Sequence, residues 1–171
     1  MKRIFGVLML LGLALSYASA APEQIGTGTV DRRMTADEQL SLRLINAERT
    51  ERDLLPLRFD PVLMKVARSH SRDMAERSYF AHISPPPDET NPFERYENAL
   101  GRKFRAVVGE NVGRAEQPLM GQIHASLMES PEHRANILDV EYTRVGVGVF
   151  TFPDGHVWIT QMFRGEEEPT H

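Results

Sequence analysis

No cysteine occurs anywhere in the 171 residues. Disulfides are thereby excluded, and so is a lipoprotein anchor, which needs a cysteine at its cleavage site. An exported chain of this kind has to be held by its core alone, and its length suffices for one domain with a full core. No long block of one charge is present either, so the sequence does not read as nucleic-acid binding. Glycine and proline are not in excess, and no internal repeat occurs. HExxH, GxSxG and a glycine-rich phosphate loop are all missing. Ser84 and Ser130 each precede a proline in a turn, without the strand–turn–helix setting that exposes a nucleophile. The longest apolar run, "IFGVLMLLGLAL", is too short and too early for a membrane span.

That run has a different meaning. "MKR" gives it a positive start, and Ala18-Ser19-Ala20 closes it with the small-x-small pattern of a signal peptidase site. Residues 1–20 are therefore expected to be a cleaved signal peptide and the protein to be exported, to the periplasm or the medium. Loss of Lys2 and Arg3 moves the formal charge from −4 to −6. Such mild acidity gives no electrostatic reason to sit on anionic lipid, so no stable membrane anchor is expected. Residues 21–34 lack periodicity and read as a flexible leader. The domain proper is expected over 35–165, followed by a solvated tail, 166–171.

Inside the domain, Thr35 and Glu38 match a capping box, and Leu40, Leu44, Ile45 and Ala47 follow at helical spacing. "LPLRFDP" is a short extended link. Asp60-Pro61 opens a second helix with the stripe Leu63, Val66, Ala67, His70 and Met74. Asn91-Pro92 opens a third, which Gly101 ends. A fourth is expected over Pro118–Glu129, with Leu119, Ile123 and Leu127 on its buried side and His124 toward solvent. The period then changes. Val145, Val147 and Val149 alternate with Gly146 and Gly148, Pro153-Asp-Gly155 marks a turn, and "HVWITQMF" returns as a strand. "FRAVV", residues 104–108, is the expected third strand.

Three short segments break the apolar pattern with titratable groups: "YFAHISP" with His82, "GENVG" with Glu110 and "SPEHRANIL" with His133. Two imidazoles and a carboxylate can hold a zinc ion with an open position, or move protons. Each residue has a plainer reading. His82 could satisfy a carbonyl, Glu110 could cap an amide, and His133 could lock its turn. Spacing alone does not decide whether the three meet.

The order of Asn46-Ala-Glu-Arg49, Leu57-Arg-Phe-Asp60, "ARSHSRDM", "YFAH", "GEN", "SPEHRANIL", "VGVG" and Trp158 resembles the bacterial branch of the CAP superfamily. This is the SCP-like group of cysteine-rich secretory, antigen-5 and pathogenesis-related-1 proteins. The likeness covers about residues 37–164. It implies an α+β fold, an α-β-α sandwich with a small central antiparallel sheet, and an open cleft where His82, Glu110 and His133 meet. In some relatives this cluster binds a divalent metal, commonly zinc. The tentative ligand set here is His82, His133 and Glu110.

The chain departs from the family pattern in places. Glu132 stands where a glycine usually precedes the cleft histidine, and Leu127 where a tryptophan is usual. A second cleft carboxylate has no clear match, with Glu129 or Ser130 nearest. His70 reads as a core histidine, and Arg134, Asn136, Asn111, Arg49 and Asn46 read as structural anchors. The leading expectation is a non-catalytic extracytoplasmic binding module for a small ligand, lipid or envelope component. The alternatives are a metal-dependent, peptidase-like hydrolase and a structural part of the cell envelope.

Overall fold

The computed structural model describes residues 34–167. The expected signal peptide, nearly all of the leader and the end of the tail lie outside the described residues. The elements run α1 (Ala36–Thr50), β1 (Arg58–Phe59), α2 (Pro61–Glu76), α3 (Pro92–Leu100), β2 (Val108–Ala115), α4 (Met120–Glu129), α5 (Pro131–Leu138), β3 (Arg144–Thr151) and β4 (Val157–Arg164).

The helix starts follow from local chemistry. Thr35 and Glu38 form a reciprocal capping box on α1, as do Asn91 and Glu94 on α3. The Asp60 side chain accepts from the amides of Val62 and Leu63 at the start of α2. Each cap satisfies donors that a helix otherwise leaves orphaned. Gly101 ends α3 in the left-handed conformation, φ 68°, where a side chain would be strained.

The sheet has the order β1-β3-β4-β2. The pairs β3–β4 and β4–β2 are antiparallel, and the two-residue β1 joins β3 in parallel. Helices cover both faces: α2 and α3 on one, α1, α4 and α5 on the other. This is the expected α-β-α sandwich. The Val-Gly alternation of β3 explains the asymmetry of the layers. Val145 and Val147 enter a core with Ile45, Ile123, Leu127, Ile137, Ile159 and Phe163. Gly146 and Gly148 face α2, and a Cβ added at either would lie 2.1 Å from a main-chain nitrogen of that helix. The strand can carry α2 this closely because those side chains are missing.

Three expectations change in three dimensions. Leu119, expected on the buried side of α4, is 49% exposed and stands at the N-cap ahead of the helix. The third long strand is not residues 104–108 but 108–115, so it takes in Glu110 and Asn111. Phe104 instead anchors a cluster with Tyr96 and Met162. His124 is buried against α1 rather than turned to solvent. Its side chain is 7% exposed, and its Nε2 lies 3.7 Å from Glu48 Oε1. Apolar periodicity placed Ile123 and Leu127 inward correctly, but the helix-on-helix contact between α1 and α4 widens the covered face to include His124. At the other end, Glu166 pairs with Arg58 at 2.6 Å and Glu167 with Arg102, so the first tail residues are tied to the domain.

Candidate functional site

The edge strand β2 carries Glu110 to His82 and Arg95. Glu110 points toward the α2–α3 side, and its carboxylate is 1% exposed. Its Oε1 lies 2.9 Å from His82 Nδ1. Its Oε2 accepts a 2.6 Å bond from Arg95 Nη2. Both oxygens of the buried carboxylate are therefore engaged. His82 is 50% exposed, and its Nε2 has no hydrogen-bond partner among the described residues. A carboxylate at Nδ1 fixes the ring and leaves Nε2 as the free nitrogen, the arrangement that orients histidines toward metals or protons.

His133 arrives from the other layer, in the first turn of α5. Burial pushes its pKa down, and the nearby His82 adds to this while Glu132 opposes it. The mount of α5 is extensive. Asn111 Nδ2 donates to the His133 carbonyl at 3.0 Å. Asn136 Nδ2 donates to the carbonyl of Glu110 and to Asn111 Oδ1. Arg49, buried in α1, donates to the carbonyls of Ile137 and Asp139, a cation at the C-terminal end of the helix. Asn46 bonds both the amide and the carbonyl of Leu57. The anchor readings of Asn111, Asn136, Arg49 and Asn46 are those the structure shows. Arg134 differs: it is exposed, without a side-chain bond among the described residues.

Two supporting residues were not assigned to the cleft by sequence. Arg95, 10% exposed, holds Glu110 and also donates to the carbonyls of His82 and Thr90. It sits beside Tyr96 on α3, and nothing in the local pattern marks it. His70 is the expected core histidine, yet it also braces the site. Its Nε2 lies 3.0 Å from the carbonyl oxygen of Ala81, next to His82, and 3.8 Å from Glu110 Oε1. Burial pushes its pKa down more strongly than Glu110 raises it, so it is read as a neutral strut rather than a partner in an ion pair. Its histidine-on-a-stripe pattern was the available signal. Glu132 is exposed and accepts from Ser130 Oγ at 3.1 Å.

Among the described residues, no three His, Cys, Asp or Glu side chains are grouped to hold a metal ion. The donor set is two imidazoles: Glu110 stands behind His82, with its oxygens already taken by His82 and Arg95. Glu110 is thereby the carboxylate that orients His82 rather than a free ligand.

The α-β-α sandwich, with an imidazole–carboxylate pair at the edge of its central sheet, is of the SCP-like class. The chain belongs to the CAP family, described as the cysteine-rich secretory protein family, which residues 42–163 match. Over 152 residues it is 35% identical to the uncharacterized protein YkwD of Bacillus subtilis, covering 88% of this chain and 56% of that one. The chain thus spans about half the length of that curated relative. An extracellular SCP-domain protein of Bacillus anthracis, known from its crystal structure, is 29% identical with a TM-score of 0.63, covering 76% of this chain and 40% of that one. An outer surface protein of Borrelia burgdorferi has a TM-score of 0.68 over 77% of this chain and 93% of its own. At 18% identity it shows the fold alone. No helix among the described residues is long and apolar enough to cross a membrane.

Proposed function

We propose that the chain is an exported, non-catalytic binding module whose His82–Glu110–His133 cleft receives a ligand and can hold a divalent ion, zinc among them. The observation that carries this reading is the state of Glu110. A general base needs a free carboxylate oxygen within reach of the water it activates, and both oxygens here are committed to Arg95 and His82. Glu132, the remaining carboxylate beside His133, is exposed and held by Ser130. Export is supported by the sequence of residues 1–20 and by the Bacillus anthracis neighbour, which is named as an extracellular protein.

His82 and His133 would supply the imidazoles for the ion, which would act as a Lewis acid toward a ligand oxygen. Calorimetry with zinc chloride near pH 7 tests this part. Binding is expected to disappear in His82→Ala and in His133→Ala. It should weaken by about 10–100-fold in Glu110→Gln, which removes only the orienting carboxylate. Digestion of a broad peptide library with zinc supplied tests the rest. No turnover is expected. Cleavage by the wild type that vanishes in Glu110→Gln and His133→Ala makes the chain a hydrolase instead.

A further inference from the structure

Three arginines stand in one row across the sheet. The register pairs Arg58 of β1 with Arg144 of β3, and Arg144 with Arg164 of β4. Residues opposed in this way put their side chains on one face, with neighbouring strands about 5 Å apart. Like charges in that relation repel and destabilise a sheet. Anions beside the row offset this. Asp60, the N-cap of α2, supplies one: its Oδ2 accepts from Arg164 Nε at 2.9 Å. The others come from beyond the last strand. Glu166 Oε1 lies 2.6 Å from Arg58 Nη2 and 3.5 Å from Arg144 Nε, and its Oε2 lies 3.9 Å from Arg164 Nη1. The Thr143 hydroxyl donates to the same Oε1 at 3.0 Å. Glu167 continues the pattern one residue on, with both oxygens bonded to the Arg102 guanidinium.

This seat offers more donors than a carboxylate can use. Arg144 Nε is buried and has no hydrogen-bond partner, although Glu166 stands within ion-pair distance. Two carboxylate oxygens face three guanidinium groups and a hydroxyl. A phosphate group brings a further oxygen and more charge, and the planar arginine fork matches it bidentately. The present occupant is also loosely held. Glu166 is 51% exposed and Arg58 64%, and exposed ion pairs of this kind contribute little. Among the described residues, Arg58 and Arg102 find their carboxylates in Glu166 and Glu167. Without those two, the group Arg58, Arg102, Arg144 and Arg164 keeps Asp60 as its one paired carboxylate among the described residues.

We propose that this arginine row is a binding site for a phosphate-bearing chain, and that Glu166 and Glu167 occupy it in cis as a stand-in. Glu166 holds the place of one phosphate among Arg58, Arg144 and Arg164, and Glu167 the place of the next at Arg102. A chain with phosphates on neighbouring units displaces both carboxylates together. The two glutamates, tethered beside their seat, compete with it at high effective concentration. The row begins at edge strand β1, whereas Glu110 lies on the opposite edge strand β2, so the inference does not depend on the reading of the cleft.

Calorimetry with sodium tripolyphosphate and the full chain, near pH 7 and at low ionic strength, tests it. The wild type is expected to bind weakly. The double variant Glu166→Gln, Glu167→Gln should bind about tenfold more tightly, since it removes the competing charges and leaves the arginines in place. In that background Arg58→Gln should weaken binding by about tenfold or more, through loss of a charge-assisted contact. Arg43→Gln removes an exposed cation from α1, on the other face of the sheet, and should leave binding unchanged. Citrate, which offers carboxylates instead of phosphates, should bind the double variant about tenfold more weakly than tripolyphosphate does. A glycerol phosphodiester trimer run in parallel identifies the source. Tighter binding than tripolyphosphate assigns a phosphodiester polymer, and weaker binding a polyphosphate. No binding to the double variant at millimolar tripolyphosphate, equal binding by wild type and double variant, an equal loss in Arg43→Gln and Arg58→Gln, or equal binding of citrate overturns the proposal.

Discussion

Replacing Arg95 with leucine probes the central ion pair of the cleft. The wild-type guanidinium makes a 2.6 Å bond to Glu110 Oε2 and bonds of 2.9 and 2.8 Å to the carbonyls of His82 and Thr90. The leucine variant keeps the Glu110 carboxylate buried, with His82 Nδ1 as its one remaining side-chain partner. Removing one member of a buried pair costs about 3–5 kcal/mol, because the other charge stays uncompensated. The two carbonyls lie in a segment with exposed residues on either side, so water replaces much of what they lose. The expected loss is therefore about 3–5 kcal/mol, a large part of the total stability of an ordinary domain. Urea unfolding at pH 7, followed by circular dichroism and by the fluorescence of Trp158, measures it. The double variant Arg95→Leu, Glu110→Gln should lose less than the sum of the two single variants, with a coupling of about 0.5–3 kcal/mol. Arg95→Lys should fall between, since an ammonium keeps the charge but lacks the planar fork that reaches three acceptors. A loss below about 1 kcal/mol for Arg95→Leu, or strict additivity in the cycle, refutes the reasoning.

Two further substitutions test the packing and the buried histidines. Gly148→Ala would set a Cβ 2.1 Å from the Arg68 amide nitrogen and 2.3 Å from the Ala67 carbonyl carbon. The strand and α2 must separate, which should cost about 1–3 kcal/mol or more in the same unfolding assay, and a change under about 0.5 kcal/mol counts against it. His124 has both ring nitrogens buried without a hydrogen-bond partner, so His124→Leu should be neutral or should stabilise by about 1 kcal/mol at pH 7. Burial lowers the His124 pKa, with Glu48 opposing. The unfolded chain therefore takes up the proton first as pH falls below about 6.5, and wild-type stability declines from there toward the lower folded value. The advantage of His124→Leu should accordingly widen between pH 7 and pH 5, and a constant gap contradicts the assignment.

What was legible in the sequence is what short-range physics sets. The Thr35–Glu38 and Asn91–Glu94 capping boxes span three residues, the Asp60 cap two or three, and the β3 alternation has a period of two. A hydrogen bond or a repeat over so short a reach leaves its mark in adjacent letters. The family resemblance worked in the same way, as local segments in a fixed order. The resemblance proposed His82, Glu110 and His133 as cleft residues, but it did not name the side chains that contact them. Arg95 meets Glu110 across 15 residues, Arg49 meets the end of α5 across 88, and Gln161 meets Asn111 across 50. Those contacts exist because the layers stack, and no local pattern requires them. The same holds for the burial of His124 and for the start of β2, which slid from 104 to 108. Its edge position also came from the sheet order, because a strand's sequence does not say whether it has one neighbour or two. Sequence alone therefore determined most of the elements and the family. Tertiary structure decided that both oxygens of Glu110 are spent and that His124 is buried, because both depend on what long-range packing brings alongside.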